Sequence, residues 1–410
     1  MRVLVLNKFW LPSVRYSRWA PPGTELVLLT SSASIGSPAD LVDYTDHMAF
    51  DSYIQNAQVE YYAHRLQAKH AFDRVLAMSE YDLIRAARLR EAWSLPGQNL
   101  HSALAYRDKL LMKQCLLDAA VPIASFAAID DPTQLIDFCA MTGYPVVVKP
   151  RCAASSVGVR VLRDEQELYA FLGPNTPLSG DRPGNLLAEG YVSNTLFHVD
   201  GVVADGEVIV CWPSQTTSGL DFLQGETLVS TMLEPGDPAL SALKGVVVRA
   251  LQALPTPPVS LFHAEVFGME DGALVLNEIG CRIGGGKIRD VMRLAFGFDS
   301  IEWYARTVME DETINGYLPK TPTRQAGYAK VPVRPGIVRA IPQRCMVSGI
   351  DVFEVKVRLG QQVHAPASLD DCLSVFATAR PTRAEVHESL TGAVRWFNQA
   401  VRIDNNQRGG

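Results

Sequence analysis

The amino-acid sequence predicts a mixed fold, an open α/β layer at the N-terminus followed by α+β regions. Three observations carry that expectation. Short apolar runs alternate with helical spacing through the first hundred residues. Further on, Asp-Gly dipeptides separate stretches that read as paired strands. At 410 residues the chain is long enough for two or three domains, each with its own core.

The elements follow in order. Val3–Leu6, Leu26–Leu29 and Val75–Met78 read as buried strands. Val59–Phe72 and Tyr81–Trp93 have helical spacing, with Leu83, Ala86, Ala87 and Leu89 three or four apart. Strands alternating with helices imply a parallel sheet covered on both faces. Leu95-Pro-Gly-Gln98 breaks the pattern and marks a boundary. A helix is expected from Asp108 until Pro122, and Val146–Pro150 is a strand stopped by its proline. Gly173–Gly184 is rich in proline and glycine and reads as a mobile connector, and polar Gln215–Thr227 suits a flap. Towards the C-terminus the strand-like runs are Ile337–Ile341 and Val352–Val357, with a helix at Arg383–Val401 and a disordered tail at Asn405–Gly410.

Composition excludes some classes. With 47% hydrophobic and 20% charged residues the chain reads as soluble and globular, and a net charge of -6 gives no reason to expect nucleic acid or an anionic membrane. Met1–Asn7 is too short for a signal peptide and lacks a cleavage site, and no run approaches a membrane span. The seven scattered cysteines contain no CxxC and read as reduced thiols, so the expected location is cytoplasmic.

The sharpest chemical signal is Phe262–Glu278. A two-residue turn at Asp271-Gly272 sets Glu265 opposite Glu278, on a face shared with Phe267, Met269, Leu274 and Leu276. Two carboxylates ~5 Å apart on an apolar face repel unless one is protonated or a cation lies between them. Hard carboxylate oxygens suit Mg²⁺. On this segment alone a solvated hairpin edge is the lesser alternative. Asp205-Gly206 turns a second hairpin that puts His198, Asp200 and Val202 on one face, where a lone histidine would ordinarily be packing. Lys149 ends a strand just before Arg151-Cys-Ala-Ala-Ser-Ser-Val-Gly158, whose small residues let backbone N–H groups approach an anion. By itself it also fits any strand-end lysine before a polar turn. Lys109 opens a helix, where side chain and free N–H groups could both meet a phosphate, or simply be solvated. Arg282 could clamp a phosphate or carboxylate, and Gly284-Gly-Gly286 suggests close approach to a ligand or a tight turn.

In chain order these pieces resemble the ATP-grasp superfamily, in particular its carboxylate–amine ligases of the L-amino-acid ligase type. The residues that carry the resemblance are Arg107-Asp-Lys109, Pro145–Pro150, Ala153–Gly158, Ala188–Val192, Phe197–Gly201, Glu265 and Asn277–Arg282. It implies an N-terminal α/β domain over 1–98, an ATP-grasp domain over 99–320 with a lid near 122–192, and a C-terminal domain over 321–404. ATP would lie between two sheets, with Lys109 and Lys149 on its phosphates and Ser155, Ser156 and Gly158 covering them. Glu189, Gly190 and Val192 would form the hinge beside adenine. Glu265 and Glu278 would hold Mg²⁺, with Mn²⁺ as the alternative ion. Arg282 would act on the transferred phosphoryl group or the substrate, beside Gly284 and Gly285.

Two departures stand out. Gly280 occupies a place where many members carry asparagine, so Asn277 or water would supply that contact. Leu196 replaces an acidic residue near the ribose, for which His198 or Asp200 would compensate. The implied reaction is amide formation through an acyl phosphate between a small-molecule carboxylate and an amine, with ADP and phosphate released. The rival readings are an ATP-dependent carboxylase activating bicarbonate and a non-catalytic ATP-binding regulatory protein. Specificity is expected from Gly284–Asp290, Gln215–Thr227 and Arg339, and a homodimer is the default assembly.

Overall fold

The computed structural model describes residues 1–179, 184–192, 195–310 and 318–404. The tail Asn405–Gly410 and part of the Gly173–Gly184 connector lie outside the described residues.

Four parallel strands open the chain: Arg2–Asn7, Glu25–Ser31, Asp46–Phe50 and Arg74–Ala77. The first three are laid side by side, and the fourth then pairs on the free side of the first. Arg2–Asn7 is therefore central, and its apolar residues serve both faces. Leu4 and Leu6 pack with Val59, Ala63, Ala86 and Leu89 from the helices Gln58–His70 and Leu83–Trp93. Val3 and Val5 pack instead in a core shared with Ile288, Val291, Ile301 and Trp303. The second face is thus covered by helices Ile288–Phe296 and Ser300–Val308, which come more than 280 residues later. Asp46–Phe50 escapes sequence reading because only Phe50 in it is buried, as befits an edge strand. The helix expected from Tyr81 begins at Leu83, and the freed residues Ser79, Glu80 and Tyr81 form a loop at the sheet's C-terminal edge.

A second sheet, antiparallel, joins Phe126–Ile129, Leu186–Gly190, Val146–Pro150 and Arg160–Leu162 in that spatial order. Leu135, Cys139 and Leu168 from two short helices fill its core.

The largest sheet has eight antiparallel strands. In order they are Leu274–Gly280, Ser260–Gly268, Thr195–Ala204, Glu207–Thr216, Leu228–Met232, Gln325–Pro332, Cys372–Arg380 and Val352–Val355. Gln325–Pro332 is buried at every position and Cys372–Arg380 at all but its last. Neither strand is expected from the sequence, because small and polar residues such as Ala326, Gly327, Lys330, Ser374 and Thr378 break the apolar pattern of a central strand. Residues 195–280 and 325–380 therefore share one sheet across the expected boundary at 320. The helix Arg383–Ala400, opened by a Thr382/Glu385 capping box, packs on this sheet through Val386, Leu390, Ala393 and Phe397.

Candidate active site

A cavity of about 1880 Å³ separates the lid sheet from the large sheet, and loops of the N-terminal sheet form its third wall. Lys149, Ser155 and Glu189 line it from the lid side, Glu265 and Glu278 from the large sheet, and Lys8 and Tyr81 from the N-terminal loops.

The glutamate pair comes from one hairpin whose turn differs from expectation. The chain reverses through three residues, Glu270-Asp271-Gly272, closed by Met269 N–H to the Ala273 carbonyl at 2.8 Å. Gly272 takes the left-handed φ of +83° that ends such a loop. The extra turn residue shifts the register by one, so Phe267 faces Val275 and Val266 faces Leu276. Leu276 is fully buried in the core below, and Val275 lines the cavity where Leu274 is expected. A bulge at Asn277 then restores the offset, and Glu265 stands opposite Glu278 as expected. The bulge also aims Asn277 at the site. Its amide donates to Glu265 Oε2 at 2.9 Å and its oxygen accepts from Lys149 Nζ at 3.2 Å.

Three lysines surround this pair. Lys109, at the start of helix Lys109–Asp118, lies 3.4 Å from Glu278 and donates to the Ala153 carbonyl at 2.7 Å. Asp108 caps that helix through the Leu110 N–H and also pairs with Arg151, which ties the helix to the loop that follows strand Val146–Pro150. Lys149 and Lys113 flank the Glu189 carboxylate at 2.7 and 2.8 Å. Lys113 is 1% exposed, and sequence reading misses it. The available signal is its position four residues after Lys109, on the same helix face. Burial alone would raise the Glu278 pKa, but Lys109, Lys149 and Arg282 outweigh it and hold the carboxylate below its usual range. Burial would likewise lower the Lys149 pKa, yet Glu189, Glu278 and Glu265 raise it above the ordinary lysine value. Lys113 has fewer acids nearby, and burial wins, lowering its pKa.

Glu189, expected in the hinge beside adenine, has its side chain committed to the two lysines. Gly190 and Val192 line the cavity, and the Gly190 N–H donates to the Ser125 carbonyl at 3.0 Å. In the 153–158 loop Ser155, Ser156 and Gly158 all have positive φ, and Ser155 and Ser156 line the cavity. The loop reaches the opposite wall: the Leu369 N–H meets the Ser155 carbonyl at 3.4 Å. His198 is buried, with Nδ1 on Asp200 at 2.5 Å and Nε2 on Ser230 at 2.6 Å. With both nitrogens engaged, it is an internal hydrogen-bonding residue, and compensation for Leu196 at a ribose has no free group on His198. Asp200 also bonds His263 Nδ1 at 2.8 Å, and the two histidines outweigh burial to keep it ionised.

Arg282 lies beside Glu278 as expected, but it is held by a residue the motif does not contain. Glu80, from the N-terminal loop, accepts from both Arg282 and Arg107. Burial would raise the Glu80 pKa; the two guanidiniums prevail and lower it. Gly280 leaves room there, since a Cβ on it would sit 3.4 Å from Glu80 Oε2. At Gly284 a Cβ would come within 2.6 Å of His263 Nδ1 and 2.2 Å of Ile288, so any larger residue must displace those side chains, while Gly285 opens to the cavity. Arg339 is exposed, pairs with Asp404 at 2.9 Å and takes no part in the cavity.

Two sheets facing each other across such a cavity, with paired carboxylates on one and lysines on both, make the ATP-grasp fold. Residues 114–284 match the family described as the ATP-grasp domain. An L-amino acid ligase from Bacillus licheniformis superposes over 99% of both chains with a TM-score of 0.76 at 17% identity. The L-arginine-specific L-amino acid ligase of Bacillus subtilis is 24% identical over 281 residues, 65% of each chain. Dapdiamide A synthase of Enterobacter agglomerans is 28% identical over 242 residues, 57% of this chain and 56% of that protein. The chain thus spans less than two thirds of the length of these curated relatives. Among the described residues no helix is long and apolar enough to cross a membrane.

Proposed function

We propose that the protein is an ATP-dependent carboxylate–amine ligase acting on amino-acid-like small molecules. The observation that carries this reading is the opposed pair Glu265 and Glu278 with Lys109 and Lys149 beside it, all lining one cavity. The names of the relatives point the same way.

The donor set fits Mg²⁺. Both glutamate side chains are about 30% exposed towards the cavity, and hard oxygens unsupported by a full complement of internal donors suit that ion. Bound there, the metal would neutralise phosphate charge during phosphoryl transfer. The chain's own groups do the rest. Lys109 and Lys149 stand where nucleotide phosphates would approach, and the Ala153–Gly158 loop closes over them. Arg282, fixed by Glu80, spreads the charge that develops on the acid as it takes the γ-phosphoryl group. The acid oxygen bonds the γ-phosphorus as the P–O bond to ADP breaks, and ADP leaves with that electron pair. The amine, as the free base, then attacks the acyl carbon, the acyl C–O bond breaks, phosphate leaves with the electron pair, and the surplus proton of the nitrogen passes to solvent. Closure of the loop against Leu369 excludes water, to which an acyl phosphate would otherwise be lost. On this reading 1–98, 99–320 and 321–404 are the functional regions, with the lid near 122–192. Its seven free cysteines support a cytoplasmic location, and a homodimer is the default assembly for such an enzyme.

Amine-dependent ADP release, screened over single amino acids and pairs, tests the reading. Hydroxylamine should trap the activated acid as a hydroxamate, and oxygen-18 in the acid carboxylate should reach inorganic phosphate. Release of AMP and pyrophosphate would overturn it.

A further inference from the structure

Lys8 directly follows strand Arg2–Asn7, and Ser79, Glu80 and Tyr81 follow strand Arg74–Ala77. These strands are parallel neighbours. The chain nevertheless leaves Arg2–Asn7 towards Glu25–Ser31 on the other side, so the order of strands reverses between them. Loops diverge at such a reversal and leave a crevice at the carboxyl ends, which is where open α/β sheets bind ligands. Here the crevice opens into the large cavity, for Lys8 and Tyr81 both line it.

Among the described cations that line the cavity, Lys8 alone has no carboxylate oxygen within 4.0 Å. The others are paired, from Lys109 on Glu278 through Arg282 on Glu80 to Lys330 on Asp370. The Lys8 ammonium lies 4.1 Å from the centroid of the Tyr81 ring. It is half-buried, and desolvation lowers its pKa against the longer-range pull of Asp370 and Asp82. A cation that has given up hydration without gaining a counter-ion is improved by an incoming anion. Its distance along the chain from the reaction centre is bridged by contacts. Tyr81 adjoins Glu80, and Glu80 holds Arg282 next to Glu278.

We propose that Lys8 binds a carboxylate of the amine substrate, one that the reaction leaves intact, and so selects amines that are themselves amino acids. The proposal rests on the ligase reading and adds the residue that sets its second substrate class.

The test compares each L-amino acid with its carboxamide as the amine, for the acid that gives most ADP release in the wild-type protein. The wild type should favour the free carboxylate by roughly 10- to 100-fold in kcat/KM, as expected for one charged hydrogen bond. Lys8→Met should bring that ratio to about 1–3, through KM for the amino acid, and Lys8→Arg should keep most of it. KM for ATP should stay within about twofold in both variants, since a phosphate role would move it. An undiminished preference in a folded Lys8→Met protein overturns the proposal, and so does a loss confined to ATP. If the lost preference appears only when the acid, not the amine, is offered with its second carboxylate as the carboxamide, Lys8 reads the other substrate and the proposal fails. No ADP release by the wild type with any pair would overturn the ligase reading separately. Calorimetric binding of the L-amino acids and carboxamides to the protein with ADP and Mg²⁺ would then decide on Lys8, equal affinities overturning its role.

Discussion

Glu80 shows how one side chain from outside the matched segment 114–284 can hold a residue inside it. It is bonded to Arg282 and Arg107 at once, and its replacement would free the arginine proposed to act on the transferred phosphoryl group. Glu80→Gln keeps the shape and one hydrogen bond but removes the charge. We expect turnover to fall at least tenfold with ATP affinity little changed, and stability to drop by about 1–3 kcal/mol at neutral pH. The pH dependence follows from the lowered pKa. A depressed carboxylate contributes stability above its unfolded value near 4.5 and loses it as pH falls through the lower folded value. Thermal unfolding from pH 7 down to 3 should therefore show a shallower acid decline in Glu80→Gln than in the wild type. Glu278→Gln, by contrast, strikes the proposed metal site itself. Its turnover should fall by orders of magnitude with the fold intact, and near-normal activity at limiting Mg²⁺ would exclude the shared site.

At the scale of elements, the glutamate hairpin depends on two compensating irregularities. The three-residue turn moves the strands one step out of register, and the Asn277 bulge moves them back. Sequence reading reaches the right pairing of Glu265 and Glu278 through a turn that is one residue too short. The bulge it cannot foresee is what brings Asn277 to Glu265 and Lys149. Asn277→Ala should thus raise KM for ATP and leave thermal stability within about 1 kcal/mol, because the side chain is partly exposed. The Gly284 loop is less forgiving. Gly284→Ala forces a Cβ against His263 and Ile288 and should cost about 1–3 kcal/mol in denaturant unfolding. The site was legible where chemistry sits in local motifs: Lys109, Lys149, Glu265, Glu278 and Arg282 all line the cavity. Lys113 and Glu80 were not, because nothing in a neighbouring stretch of chain marks a residue whose partner lies 76 or 202 positions away. Strands Gln325–Pro332 and Cys372–Arg380 were illegible for a different reason. Helix Arg383–Ala400 covers one face of them and helix Ile288–Phe296 the other, so both faces are buried and neither strand shows the alternation that marks a half-exposed strand.

For the whole molecule, nucleotide should act as a clamp. The cavity is bounded by three sheets, and a ligand contacting the lid and the large sheet stabilises the assembled form by mass action. ATP with Mg²⁺ at about 100 times its Kd should add about 2.7 kcal/mol of apparent stability. A thermal-shift titration should show a smaller gain in EDTA and almost none for Lys149→Ala. The eight-stranded sheet carries a consequence for recombination between relatives. Strand Leu228–Met232 hydrogen-bonds on one edge to Glu207–Thr216 and on the other to Gln325–Pro332. A chimaera spliced near residue 320 would have to match two foreign strands edge to edge, and a chain cut there would present a raw, adhesive border. Exchange of specificity should therefore succeed by swapping loops at the rim, such as those carrying Lys8 and Tyr81, and fail when whole C-terminal segments are traded.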